Sequence, residues 1–133
     1  MGKYIEREYI NKKEILKFPD HYVAMAVLVD DTGIIANSDG KKIVPAGTIV
    51  GGVGGSTIKD DTKKVAKKNT QGGATGSAGA GVDAEGVLMW DVDVTYGSAS
   101  GSMILHGYIN VSKIPEAPCA DAEKSLSQIK FIK

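Results

Sequence analysis

Apolar and polar side chains alternate most clearly between residues 87 and 95. Every second residue there is apolar: Leu88, Trp90, Val92 and Val94. A period of two residues is typical of a strand with one buried face. A Gly- and Ser-rich stretch at 97–102 follows, and a second apolar run begins at Met103. The sequence therefore predicts a β-hairpin with its turn at 97–102.

Further strands and one helix are predicted around this hairpin. Residues 22–29 are rich in apolar and β-branched side chains and run into an Asp-Asp-Thr-Gly turn, which predicts a strand and its end. Residues 42–53 contain two short β segments divided by Pro-Ala-Gly. After Pro118, Asp121 is a candidate helix cap in front of Ala122, Leu126 and Ile129 at helical spacing. Residues 129–133 alternate again and predict a last strand.

The glycine-rich stretch IVPAGTIVGGVGG at 43–55 raises the question of a phosphate-binding loop. A dinucleotide motif requires G-x-G-x-x-G in front of a helix, and a P-loop requires a G-K-[ST] ending. Gly52 and Gly54 supply the first half of the dinucleotide motif, but Thr57 stands in place of the third glycine. No apolar helical pattern follows. We therefore interpret the stretch as strand, turn and strand, with glycines where chains approach closely.

The N-terminal residues 1–17 match neither the helix nor the strand period. Their apolar side chains are scattered among charges, so a partner surface would have to cover several of them. We interpret the segment as an N-terminal arm, with a short terminal helix as the alternative. The candidate partner-binding residues are Tyr4, Ile5, Tyr9, Ile10, Ile15 and Leu16.

Residues 56–86 begin with a lysine-rich part and end in a Gly/Ala/Ser tract with almost no side chains to pack. Such a composition predicts a long, flexible, Gly-rich loop within a single domain that spans residues 18–133. The lysines could meet phosphates, but a solvated charged segment is the more common outcome.

Composition narrows the function classes. The 133 residues, 42% of them hydrophobic, are enough for one core. The formal net charge is zero and Arg7 is the single arginine, so we expect no nucleic-acid partner. Cys119 is the single cysteine and cannot form an internal disulfide, which fits assembly in a reducing cytoplasm. The N-terminus is too charged for a signal peptide, and the longest apolar run is too short for a bilayer span, so no membrane association is expected.

Candidate chemical groups are few. Asp91 and Asp93 lie on one face of the predicted strand, about 7 Å apart, but no further acidic residue completes a calcium loop. His21 and His106 are far apart in sequence and lie in no zinc-binding motif. No G-x-S-x-G elbow is present. We therefore expect no catalytic residues, metal or cofactor, and a protein that is not an enzyme.

Four segments, in this order, resemble a known family. They are AGTIVG at 46–51, VLMWDVD at 87–93, ILHGYI at 104–109 and LSQIKF at 126–131. Together they resemble the head decoration proteins of lambda-like tailed bacteriophages over about residues 42–133. The Gly-rich loop and the N-terminal arm depart from the family pattern.

The resemblance implies a mainly β (α+β) fold, a small β-sandwich or barrel-like domain with one short C-terminal helix. It also implies a capsid cement protein in the virion. Such a protein is assembled in the host cytoplasm, binds the major capsid protein on the outer surface of the expanded capsid, and forms a homo-oligomer, expected to be a trimer. The alternatives are the base of a capsid fibre, an adhesin-like appendage, and a small ligand-binding or hydrolytic β domain.

Overall fold

The computed structural model describes residues 15–72 and 79–133 of the chain. Within these ranges the chain forms eight strands, one α-helix and two 3₁₀ turns. The strands are β1 (Val23–Val29), β2 (Ile43–Val44), β3 (Ile49–Gly52), β4 (Val65–Lys67), β5 (Gly86–Leu88), β6 (Val92–Asp93), β7 (Ala99–Asn110) and β8 (Ile129–Ile132). The helix α1 is Ala120–Ser125, and the 3₁₀ turns are Ala80–Asp83 and Val111–Lys113.

Five strands close into a small barrel. Their order is β1-β4-β3-β5-β7, and β7 pairs back onto β1 to complete the ring. β8 adds to β7 in parallel beyond the end of β5, and β2 pairs with β6 as a separate two-stranded sheet. The predicted mainly β, barrel-like fold with one short helix is confirmed for the described part of the chain.

Two apolar clusters lie on opposite faces of the barrel wall. Neighbouring residues alternate between them: Ile49 and Val87 belong to the outer cluster, and Val50 and Leu88 to the inner one. The inner cluster takes side chains from all five barrel strands and therefore fills the barrel. The outer cluster is covered by Ala122 of α1 and its neighbours. Because both faces are buried, the central strands are apolar on both sides rather than on one.

The predicted hairpin is correct in outline but wrong in its limits. The strand predicted over 87–95 divides into β5 and β6, and β6 leaves the barrel to pair with β2. The predicted turn at 97–102 is shorter, because β7 already begins at Ala99. Ser100, Gly101 and Ser102 are strand residues since they pair with β1. Tertiary pairing overrides their low intrinsic β-propensity here.

The predicted helix forms, although its start and end differ from the prediction. The N-cap is Cys119, whose Sγ accepts a hydrogen bond from the amide of Ala122 at 3.4 Å, and Asp121 lies inside the first turn. Ile129, predicted at helical spacing, belongs to β8. The predicted last strand is confirmed.

The predicted loop at 56–86 is interrupted by the strand β4 and by the 3₁₀ turn Ala80–Asp83, while its other described residues before β5 are turns and irregular chain. β4 lies between β1 and β3 and pairs with both, and Thr57 is fully buried. The 3₁₀ turn at 80–83 contacts α1. Residues 73–78 of this segment lie outside the described residues. The three residues of β4 satisfy their backbone through strand pairing, which side-chain composition does not reveal.

Candidate functional site

The segment that leads into β1 is attached to β7, and this corrects the predicted arm. The amide of Asn110 donates to the carbonyl of Ile15 at 2.7 Å, the amide of Lys17 donates to the carbonyl of Tyr108 at 2.8 Å, and Leu16 forms an antiparallel bridge with Ile109. Ile15 is 0% exposed and Leu16 is 5% exposed. The prediction that these two side chains face a partner is therefore wrong, because they are buried in the outer apolar cluster of their own domain.

The other predicted binding residues lie outside the described residues. They are Tyr4, Ile5, Tyr9 and Ile10. Their role in binding a partner stays a prediction. The structure fixes the position of residue 15, which is hydrogen-bonded to β7.

Four aromatic rings lie beside this attachment point, and we call them the aromatic patch: Phe18 and His21 are exposed, and His106 and Tyr108 are half-buried. The Phe18 ring, 50% exposed, meets Tyr108 edge-on with 5.3 Å between ring centroids. The His21 ring meets His106 at 4.9 Å and Tyr108 at 6.2 Å. Aromatic residues are enriched where proteins contact one another. The patch is therefore a candidate contact surface.

The two histidines of the patch are in direct contact. Their Nε2 atoms are 2.9 Å apart, and Nδ1 of His106 is 2.8 Å from the carbonyl oxygen of Gln128. Sequence reasoning missed this pair because the residues are 85 positions apart and follow no motif spacing. Strand β7 and the turn before β1 bring them together.

Asp91 and Asp93, the candidate carboxylate pair, each stabilise a turn. Asp91 accepts a hydrogen bond from the amide of Ala46 at 2.6 Å and so joins β6 to the start of β3. Asp93 accepts hydrogen bonds from the hydroxyl and the amide of Thr95. Both bonds lower the pKa of Asp93, and the bond from the hydroxyl has the larger effect. A lowered pKa favours a permanent acceptor over a proton donor.

The end of the glycine-rich stretch and the three residues after it bind a carboxylate of the same protein. The carboxylate of Glu85 accepts hydrogen bonds from the amides of Gly52, Thr57 and Ile58 at 2.9–3.0 Å and from the hydroxyl of Ser56 at 3.0 Å. Partial burial is the largest influence and raises the pKa of Glu85, but the four hydrogen bonds together outweigh it and lower the pKa. The rejected phosphate loop is thus an internal carboxylate site.

An apolar cavity of about 210 Å³ opens between β2, β3 and β4. Its walls include Ile34, Val44 and Pro45. The ion pair of Lys67 and Glu116, 2.7 Å long and about half exposed, lies at its edge and holds the pKa of Glu116 below its ordinary value. Asp91 and Asp93 do not line it. Its volume is below the roughly 300–1,000 Å³ of usual ligand pockets.

In residues 15–72 and 79–133, no three His, Cys, Asp or Glu side chains are grouped so that they could hold a metal ion. Among the helices of the described residues, none has the length and apolar character needed to cross a bilayer. Comparisons with protein-family models, with curated proteins and with solved structures give no match to this chain.

Proposed function

We propose that this chain is a capsid decoration protein that binds the outer surface of an expanded phage capsid and stabilises contacts between major capsid subunits. One observation carries the proposal. The four segments that resemble the decoration family lie in one domain: 46–51 leads into β3, 87–93 runs from β5 to β6, 104–109 lies in β7, and 126–131 leads into β8. Segments that are far apart in the chain thus belong to one small β domain, as expected if the resemblance reflects a shared fold.

The binding surface in this proposal consists of the N-terminal residues and the aromatic patch. Residues 15–17 are fixed along β7, close to the ring pair of Phe18 and Tyr108. Tyr22 and Val23, 42% and 54% exposed, extend this apolar surface along the start of β1. An extended segment can add to the sheet edge of a partner chain, where main-chain hydrogen bonds give affinity and alternate side chains give specificity. The protein is a trimer in this proposal, as the resemblance to the decoration proteins implies.

The test uses expanded capsids that were assembled without this protein. The purified chain should sediment with them, and averaged electron micrographs should show added density on the outer surface at local threefold positions. A chain that stays in the supernatant while the capsids sediment would contradict the proposal. Density that projects as a fibre base would support the fibre alternative instead.

The cavity favours a second candidate function, that of a small ligand-binding β domain. Its apolar walls and the adjacent ion pair would suit a small apolar molecule with one polar end. A thermal-shift screen of such molecules tests this, with Ala66→Trp as the variant that fills the cavity. A stabilising compound whose effect disappears in Ala66→Trp would support ligand binding; the absence of any such compound would favour the decoration role.

A further inference from the structure

The distance between the Nε2 atoms of His21 and His106 suits a hydrogen bond and also two ligands on one metal ion. Metal–nitrogen distances for imidazole are about 2.0–2.1 Å, so two nitrogens at a right angle on one ion lie about 2.9 Å apart, and at the tetrahedral angle about 3.4 Å. The Nε2 atoms of the two rings are 2.9 Å apart. The pair therefore matches adjacent positions of a square-planar or octahedral ion, and a shift of about half an ångström would suit a tetrahedral one.

The tautomer of His106 suits a ligand. A carbonyl oxygen can only accept a hydrogen bond, so Nδ1 of His106, 2.8 Å from the carbonyl oxygen of Gln128, must carry the proton. In the neutral ring this leaves a lone pair on Nε2, which lies 2.9 Å from Nε2 of His21. Metal-binding histidines generally donate their other ring N–H to a carbonyl or carboxylate, and this bond fixes the ring and raises its basicity.

Both rings are carried by hydrogen-bonded parts of the fold. His106 lies within β7 and pairs with Val23 at the start of β1. His21 closes the turn in front of β1, where its amide donates to the carbonyl of Phe18 at 3.3 Å, and its ring packs against Tyr108. Ligands that are already in place lose little conformational freedom when an ion binds.

We propose that His21 and His106 form a binding site for one divalent transition-metal ion of the class that prefers imidazole nitrogen, such as Ni²⁺, Cu²⁺ or Zn²⁺. His21 is exposed and His106 is half-buried, so water can occupy the remaining positions of the ion. On binding, the ion takes the lone pairs of both Nε2 atoms, and the Nε2 proton that His21 shares with His106 moves to Nδ1 of His21 or to solvent. The proposal is independent of the capsid role, because it depends only on this pair.

Calorimetric titration of the full-length, chelator-treated protein with Ni²⁺ at neutral pH tests the site. One ion per chain should bind, and His21→Gln and His106→Gln should each weaken binding by at least about tenfold. Cys119→Ser is the matched control and should bind as the wild type does, since Cys119 caps α1. Lack of saturable binding, retained affinity in either histidine variant, or loss of binding in Cys119→Ser would each overturn the proposal.

A second measurement decides the question if a variant fails to fold. The chain has two histidines, so the imidazole nitrogen signals in a ¹⁵N NMR spectrum of the wild type are readily assigned. Addition of Zn²⁺ should shift the Nε2 signals of both rings together and in proportion to occupancy. Unchanged Nε2 signals, or a shift of one ring alone, would show that the pair is only a hydrogen-bonded contact.

Discussion

At the scale of single residues, Glu85 connects three parts of the fold through one carboxylate. It accepts from the amides of Gly52, Thr57 and Ile58, so its removal leaves those donors without their protein partner. We expect Glu85→Ala to lower the free energy of unfolding by about 1–3 kcal/mol, as measured by urea denaturation. Glu116→Ala is the control and should change it far less, because its ion pair with Lys67 is exposed to solvent.

The same carboxylate predicts a pH dependence with a definite sign. Because the pKa of Glu85 is lower in the folded state than its ordinary value of 4.5, its contribution to stability is complete above that value. The contribution is lost as the pH falls through the lower pKa of the folded state. Urea midpoints measured from neutral into acid conditions should fall less steeply for Glu85→Gln than for the wild type. Parallel curves would show that Glu85 does not link stability to pH.

Gly47 and Gly40 form a matched pair for separating backbone strain from steric overlap. Both have positive φ, +88° at Gly47 and +75° at Gly40. A β-carbon added at Gly47 would lie 2.6 Å from Cγ2 of Ile114, whereas a β-carbon added at Gly40 would have no atom within 4 Å. Gly40→Ala should lower the free energy of unfolding by about 1–2 kcal/mol, because alanine is strained in the left-handed backbone conformation. Gly47→Ala should lower it by about 1–3 kcal/mol more, because the added β-carbon also overlaps Ile114. Equal losses in urea denaturation would mean that Ile114 moves aside without cost.

At the scale of elements, the sequence predicted the strands that contain clear apolar runs. It missed strand residues that have low β-propensity and are ordered by pairing with a neighbouring strand. β1, the two strands of 43–52, the last strand and the short helix were all foreseen from apolar runs and turn residues. The start of β7 was missed because Ser100, Gly101 and Ser102 have low β-propensity and become strand by pairing with β1. β4 was missed because lysines and glycines surround its three residues.

The folding of β4 changes the expected pattern of proteolysis in the lysine-rich segment. Lys67 lies in a strand paired on both sides, and the amide of Lys68 donates to the carbonyl of Ile49 at 2.8 Å. Lys59 lies in an exposed turn. Trypsin should therefore cut after Lys59 well before it cuts after Lys67 or Lys68, because cleavage requires local unfolding. Mass spectrometry of early fragments checks this, with the urea-unfolded chain as control; equal early rates in the native protein would contradict the pairing of β4.

At the scale of the whole molecule, the sequence indicated the class of fold but not how the barrel closes. Closure depends on β7, whose 12 residues pair with β1 along one edge and with β5 and β8 along the other. Periodicity reports which face of a strand is buried and carries no information about which strands are neighbours. For the same reason the contact of His21 with His106 could not be predicted, and neither could the burial of Ile15 against β7.

The last prediction follows from where the N-terminal segment joins the core. Deleting residues 1–14 leaves Ile15 and Leu16 in place, so the barrel should keep its stability and its oligomeric state. Deleting residues 1–17 removes both buried side chains and their main-chain bonds to β7. Loss of one buried Leu or Ile side chain typically lowers the free energy of unfolding by about 2–5 kcal/mol. The longer deletion should therefore unfold at markedly lower urea concentration.

The shorter deletion is consequently the variant that tests the role of the N-terminal residues on the capsid. If they bind the major capsid protein, the chain without residues 1–14 should fold and oligomerise as the wild type does but no longer sediment with expanded capsids. Full-length Ile10→Asp should show the same loss, because a charge replaces an apolar contact without shortening the chain. Unchanged capsid affinity in both variants would contradict this role. The contact would then lie on the folded domain, where Phe18→Ala in the aromatic patch is the substitution to measure next.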